Sequence, residues 1–195
     1  MGFSLEWIAV KGSERNSVLN TLGLRGTGER QEIPESDITG ANLPAGWYMV
    51  VANHGYPSLM EEKMLARVSV GAEVVTCFVE EHVMCSCAQG WRNGLQIWLV
   101  MHEAGTGGID HLETKGELPP VFSAIRDRQR SKQQAAGGSK AGDDYIFDIP
   151  VELAHTLTGY RHDQDIPELG AAPFEVLATT EATLRRSWVK RLLGI

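Results

Sequence analysis

The spacing of apolar and polar residues changes sharply along the chain, and the changes mark its elements. In SLEWIAVKG, Leu5, Trp7 and Ala9 fall on one side of a short strand, because side chains in β structure point alternately to opposite faces. SVLNTLGL has the spacing of a short amphipathic helix, with Gly23 placed to end it. GWYMVVAN is almost unbroken apolar, the pattern of a strand covered on both faces. PSLMEEKMLARVSVG follows as a helix: Ser58 and Glu61 form a capping box, Leu59, Met64, Leu65 and Val68 supply a buried stripe, and Gly71 offers a stop. Strand, helix and strand from Trp47 to Val75 predict a right-handed parallel crossover.

Between these elements, RGTGERQEIPESDITGANLPAG lacks periodicity and predicts a long loop over residues 25–46. It reads as a surface crossing, or as a cover closing over a small ligand.

Asn93-Gly94 is the pair that best tolerates the two positive φ angles of a type I′ turn, so the segment around it predicts a central β-hairpin. With Arg92 facing Leu95, the register pairs Ala88 with Leu99, Cys87 with Val100, Cys85 with His102 and Met84 with Glu103. IDHLETKG adds a third strand. LPPVFSAIRDRQRSKQQAA then forms a helix opened by prolines, with Val121, Phe122 and Ile125 buried. AAGGSKAGDD, residues 135–144, predicts a flexible connector. DYIFDIP reads as a strand leading into the helix VELAHTLTGY, RHDQDIPELGAAP as a loop, and residues 180–193 as a C-terminal helix in which Leu184, Trp188 and Leu192 recur every four positions. The whole predicts one α+β domain over residues 1–195: a mixed, largely antiparallel sheet with helices packed on it.

Composition narrows the function classes. The chain has 195 residues, of which 43% are hydrophobic and 22% charged, enough to bury roughly 70% of the unfolded surface without disulfide or metal staples. A formal charge of −7 and a pI near 5.4 repel a phosphate backbone, which argues against nucleic acid and for a basic protein as partner. Cys77, Cys85 and Cys87 are an odd set suited to reduced thiols. The opening MGFSLEWIAVKG has no signal-peptide pattern and no apolar run reaches the ~20 residues of a membrane helix, so the expectation is a cytoplasmic protein without membrane contact.

Two clusters follow from the hairpin register. Glu81, Cys85, Cys87 and His102 would share one face, a soft donor set that zinc accepts, although Cys-x-Cys on a straight strand suits core packing better. Glu80, His82, Met84 and Glu103 would share the other, and their carboxylates and imidazole suit proton transfer or a hard cation, or a solvated strand end. His54 and Tyr56, in NHGYPS, stand where a loop leaves a buried strand before a helix, a usual ligand position in open sheets. RHDQD sets His162 beside Asp163 and Asp165, a pattern a solvated loop explains, and His111 and His155 have no evident partner. GxxxxGKS, GxSxG and HExxH are all missing from the sequence. No cofactor is expected.

These features point first to a non-enzymatic protein-binding module, of inhibitor or immunity type, and second to a metal-assisted or acid/base hydrolase built from the Glu80, His82 and Glu103 cluster with His54. A small-ligand sensor using residues 25–46 as its cover is a third reading. The hairpin's apolar character on both faces allows helices on each side or a homodimer seam.

Overall fold

A computed structural model describes residues 2–53 and 59–180. In it the chain is α+β, built on one antiparallel sheet. The strands are β1 (Ser4–Lys11), β2 (Leu24–Gln31), β3 (Ile38–Leu43), β4 (Trp47–Asn53), β5 (Glu73–Glu80), β6 (Cys85–Arg92), β7 (Leu95–Glu103), β8 (Glu113–Gly116) and β9 (Phe174–Thr179). They lie in the order β2-β9-β3-β4-β1-β5-β6-β7-β8. The helices are α1 (Arg15–Leu22), α2 (Glu62–Val68), the single turn α3 (Ala104–Gly107), α4 (Phe122–Ala135) and α5 (Asp148–Thr158).

The central strands are mostly apolar because both faces of the sheet are covered. Leu5, Trp7 and Ala9 of β1 and Trp47, Met49 and Val51 of β4 enter one core with α4 and α5. Ile8 and Val10, with Tyr48, Val50 and Ala52, enter a second core under α1 and α2. Helix α1 ends as its sequence predicts, with Gly23 at φ 70° accepting the left-handed conformation. Strands β4 and β5 run parallel to each other, but β1 lies between them and pairs antiparallel with both, so the segment is not an adjacent parallel crossover.

The expected loop over residues 25–46 is corrected to two strands, β2 and β3, joined by a short turn. Strand β2 escapes detection because most of its residues are exposed at the edge of the sheet, where no buried stripe imposes alternation. Strand β9, between β2 and β3, has a short β-forming run, FEVLAT, that the sequence reading passes over. The expected strand at DYIFDIP is instead a turn entering α5, which begins at Asp148. Residues 135–144 contain a short 3-10 turn, Gly138–Lys140. They are pinned by Gln133, whose Nε2 donates to the Gly138 carbonyl (2.8 Å) and whose Oε1 accepts from the Tyr145 amide (2.8 Å). Gln133 Nε2 also reaches the Asp143 carbonyl (3.3 Å), so two carbonyls of the segment, Gly138 and Asp143, are held to α4.

The hairpin forms at Asn93 (φ 50°) and Gly94 (φ 82°) as expected. Its register then slips by one at a bulge between Gly90 and Trp91. Arg92 faces Leu95 and Trp91 faces Gln96, but Gly90 faces Trp98, Ala88 faces Val100, Cys87 faces Met101, Ser86 faces His102 and Cys85 faces Glu103. Packing explains the slip, since the additional residue lets both Ile97 and Trp98 pack against the same core. The Trp98 indole lies across Gly90, on the site a β-carbon would occupy. Helix α2 begins at Glu62 with Glu61 as its N-cap and no side-chain capping bond, later than the expected start at Ser58; Ser58 itself and residues 181–193 of the expected C-terminal helix lie outside the described residues.

Candidate functional site

Three segments meet beyond one end of the sheet. Glu80 to Met84 form the turn joining β5 to β6, with Met84 at φ 49° closing it. Asp148 starts α5, where a carboxylate complements the helix dipole. Gly159, at φ 81°, ends α5 and turns Tyr160 to Asp163 back over that helix. Together they enclose an open groove of about 460 Å³, lined by Glu81, His82 and Met84 from the hairpin, Phe147 and Asp148 from the helix start, Arg161, His162 and Asp163 from the returning loop, and Gly2. A second depression of about 420 Å³ also borders Arg161, with His155, Asp165 and Glu168 on its walls.

Arg161 is the scaffold between them. Its Nη2 lies 2.8 Å from Asp148 Oδ1, its Nε 2.7 Å from Asp163 Oδ1 and its Nη1 3.5 Å from Glu152 Oε2. Burial opposes its charge, but the hydrogen bonds to Asp163 and Asp148 hold it firmly protonated. Burial likewise works against the Asp163 carboxylate, and the bond and charge of Arg161 outweigh it and depress its pKa. Arg161 is thus already neutralised by its own carboxylates, and among the described lining residues Glu81 leaves an excess of negative charge.

His162 is the unusual member. Its side chain is only 2% exposed, yet among the described residues neither ring nitrogen has a partner within hydrogen-bond distance. The nearest carboxylate oxygen, Glu81 Oε1, is 3.6 Å from Nε2, beyond hydrogen-bond range. Burial, the largest influence, lowers the His162 pKa despite Asp163 and Glu81, so the ring is neutral at pH 7. The Phe3 ring meets it edge-on at 4.9 Å, and the Phe3 amide donates to Glu81 Oε2 at 2.9 Å, which fixes that carboxylate beside the imidazole. A buried polar ring left unpaired costs about 1–3 kcal/mol.

The sequence-derived clusters are placed differently. Glu80 and His82 do meet, Oε1 to Nδ1 at 2.9 Å, but the same oxygen also accepts the His82 amide at 3.2 Å, and the pair closes the hairpin turn. The Ser4 hydroxyl and then His82 hold Glu80 below the usual carboxylate range. Glu103 lies in the same cross-strand row with Cys85 between, so the two carboxylates are two strand spacings, roughly 10 Å, apart at the backbone. Its Oε2 accepts from the Thr106 hydroxyl at 2.8 Å. His54 and Tyr56 lie outside the described residues.

Cys85, Cys87 and His102 do not converge, because the slip sends His102 to the face of Ser86, opposite the thiols. Burial pushes Cys87 up to about 11 and raises Cys85, whose neighbours Glu103 and Glu80 add to the effect, so neither is thiolate at neutral pH. His102 is instead fully buried between the Asp144 carboxylate and the His111 carbonyl. Among the described residues no group of three or more His, Cys, Asp or Glu is arranged to hold a metal ion, and no helix is long and apolar enough to cross a membrane.

The residues that build the groove had weak signals. RHDQD displays Arg161, His162 and Asp163 together, but their partners Asp148, Glu152 and Glu81 are distant in sequence. No protein-family model matches the chain, and comparison with curated proteins and with solved structures finds no match.

Proposed function

We propose that this protein is a non-enzymatic binding module that recognises a basic protein partner through the groove at the β5–β6 turn, as an inhibitor or immunity-type factor in the cytoplasm. The observation carrying this reading is the charge of the groove: among the described residues three carboxylates, Glu81, Asp148 and Asp163, line it against the guanidinium of Arg161, which is spent on internal ion pairs. The formal charge of −7 supports it by steering basic surfaces inward and repelling nucleic acid. Its test is a calorimetric titration with a short Lys/Arg-rich peptide at low and at physiological ionic strength. Affinity that falls steeply with salt supports the reading, and equal affinity for a Glu-rich peptide, or none for either, removes it.

Acid/base hydrolysis is the second reading, favoured by the neutral imidazole of His162 beside the Glu81 carboxylate. It replaces the Glu80, His82 and Glu103 cluster with a pair the fold brings together. Turnover of an ester, amide or phosphodiester that disappears in both His162→Asn and Glu81→Gln would support it; no turnover across those three classes would remove it.

A further inference from the structure

We propose that Asn93 is a site of covalent self-modification, converting to aspartate and isoaspartate by ring closure with Gly94, and that Ser69 is the latch that holds this reaction off in the folded chain. Two features carry this, neither belonging to the groove: the chemistry of the Asn93-Gly94 pair, and the hydrogen bonds that pin the hairpin tip to Ser69 at the end of α2.

The pair itself is reactive. Asn93 is exposed at the tip of the hairpin, and the residue after it has no side chain to obstruct the approach of its amide nitrogen to the Asn93 side chain. In the reaction, base removes the Gly94 amide proton, the nitrogen bonds to Asn93 Cγ, and the Cγ–Nδ2 bond breaks to release ammonia. Water then opens the cyclic imide: attack at Cγ gives aspartate, and attack at the main-chain carbonyl gives isoaspartate. No oxidation or reduction takes place, and water is the co-reactant.

The fold opposes the first two steps. The Gly94 amide donates to Ser69 Oγ at 3.0 Å, while that hydroxyl donates its own proton to the Ala66 carbonyl at 3.2 Å. Ser69 therefore shows Gly94 only lone pairs, which favour the protonated amide and repel the nitrogen anion that ring closure needs. The electrophile is pinned as well. Asn93 Oδ1 accepts from the Gly71 amide at 3.2 Å, and the Asn93 amide donates to the Ser69 carbonyl at 2.8 Å, so neither the side chain nor the main chain of Asn93 turns freely toward Gly94. Ser69 is fully buried, which keeps water from taking over its bonds. Conversion thus requires the tip to lift from the end of α2, a local opening that is easier than global unfolding. Its product loosens the tip further, because isoaspartate inserts a methylene into the main chain of a turn whose length fixes the strand register.

The test follows residue 93 by peptide mapping and isoaspartate detection while the full chain is held at mildly alkaline pH, once folded and once in denaturant. Conversion is expected in denaturant, and about tenfold slower or more in the folded chain. Gly94→Ala, compared with the parent in denaturant where folding plays no part, should slow conversion because its methyl group obstructs the attacking nitrogen. Folded Ser69→Ala should convert roughly two- to tenfold faster than the folded parent, the effect of losing one hydrogen bond. Equal rates for the folded and denatured parent, or a folded Ser69→Ala chain that converts as the parent does, would overturn the latch. No conversion in denaturant, or a Gly94→Ala chain as fast as the parent there, would overturn the ring closure. Should Ser69→Ala not fold, hydrogen exchange at the Gly94 amide of the parent decides: slow exchange supports the latch, and exchange as fast as in the denatured chain overturns it.

Discussion

His102 Nε2 and Asp144 Oδ2 lie 2.9 Å apart, joining β7 to the turn that opens α5 across a site where His102 is fully buried. The other ring nitrogen, Nδ1, is 2.7 Å from the His111 carbonyl, which can only accept. Both nitrogens therefore donate, and the ring is an imidazolium. Asp144 completes the connection through Oδ1, which accepts the amides of Ile146 (3.0 Å) and Phe147 (3.1 Å). Ser86, opposite His102, donates its hydroxyl to the Phe147 carbonyl at 2.7 Å, so this pair secures the helix start on which Asp148 and the groove depend.

Burial works against the His102 charge, but the Asp144 and His111 hydrogen bonds outweigh it and raise the pKa above 6.5. A pKa raised on folding contributes stability that is complete below the unfolded value and is lost as pH rises through the folded one. Asp144 is held below 3.8, so its contribution persists above that value and is lost only as pH falls through its depressed pKa. Thermal unfolding across pH 5 to 9 should show declining stability above about pH 6.5, and His102→Gln should make that decline shallower, leaving only the share that Glu6 contributes. Asp144→Ala, which leaves a buried imidazolium unpaired, should cost about 3–5 kcal/mol. Invariance of the parent chain across that range would contradict the assignment.

Glu6 makes a second, separable pH effect. It is 5% exposed, its Oε1 has no hydrogen-bond partner among the described residues, and burial raises its pKa to about 7. The folded chain thus binds a proton that the unfolded chain releases above 4.5, and stability falls with pH between 4.5 and about 7. Glu6→Gln keeps the shape and removes the ionisation. Denaturant unfolding should find it more stable than the parent at pH 8 by up to ~3 kcal/mol, with little difference at pH 4.5; a destabilised Gln variant at pH 8 would mean that Glu6 has a partner in its charged form.

Gly90 accommodates the Trp98 indole where any β-carbon would collide with it. Gly90→Ala should therefore cost about 1–3 kcal/mol through overpacking. Denaturant melts followed by tryptophan fluorescence measure this, and a neutral substitution would place the indole elsewhere.

The thiols should react slowly with a disulfide reagent at pH 7. Cys77 and Cys87 are buried and Cys85 half-buried, all free and all with raised pKa. In native buffer, modification of one thiol, Cys85, is expected at less than the rate of free cysteine, and of three in denaturant. Rapid native labelling of Cys87 would contradict its burial.

The Asn93-Gly94 turn was readable in the sequence because positive φ at consecutive residues demands those types, and the apolar runs of β1 and β4 were readable because both of their faces are buried. The slip at Gly90 was not, since it answers to where Trp98 must pack rather than to the turn. That single-position shift sends His102 away from Cys85 and Cys87 and into contact with Asp144, 42 residues distant. The polar second half of α4 concealed a buried stripe as well, because Gln129 and Gln133 continue the line of Phe122 and Ile125. The groove stayed hidden for the same reason as the dyad: its charges belong to neighbouring segments of space, not of chain.

The central claim, that the groove at the β5–β6 turn is where a basic partner binds, is tested most directly by mapping amide shifts of the full chain while the Lys/Arg-rich peptide is added. Perturbations concentrated at residues 80–84, 147–148 and 161–163 are expected. Perturbations centred instead on Phe78, Cys85, Leu99 and Met101, on the opposite face of the sheet, would contradict it.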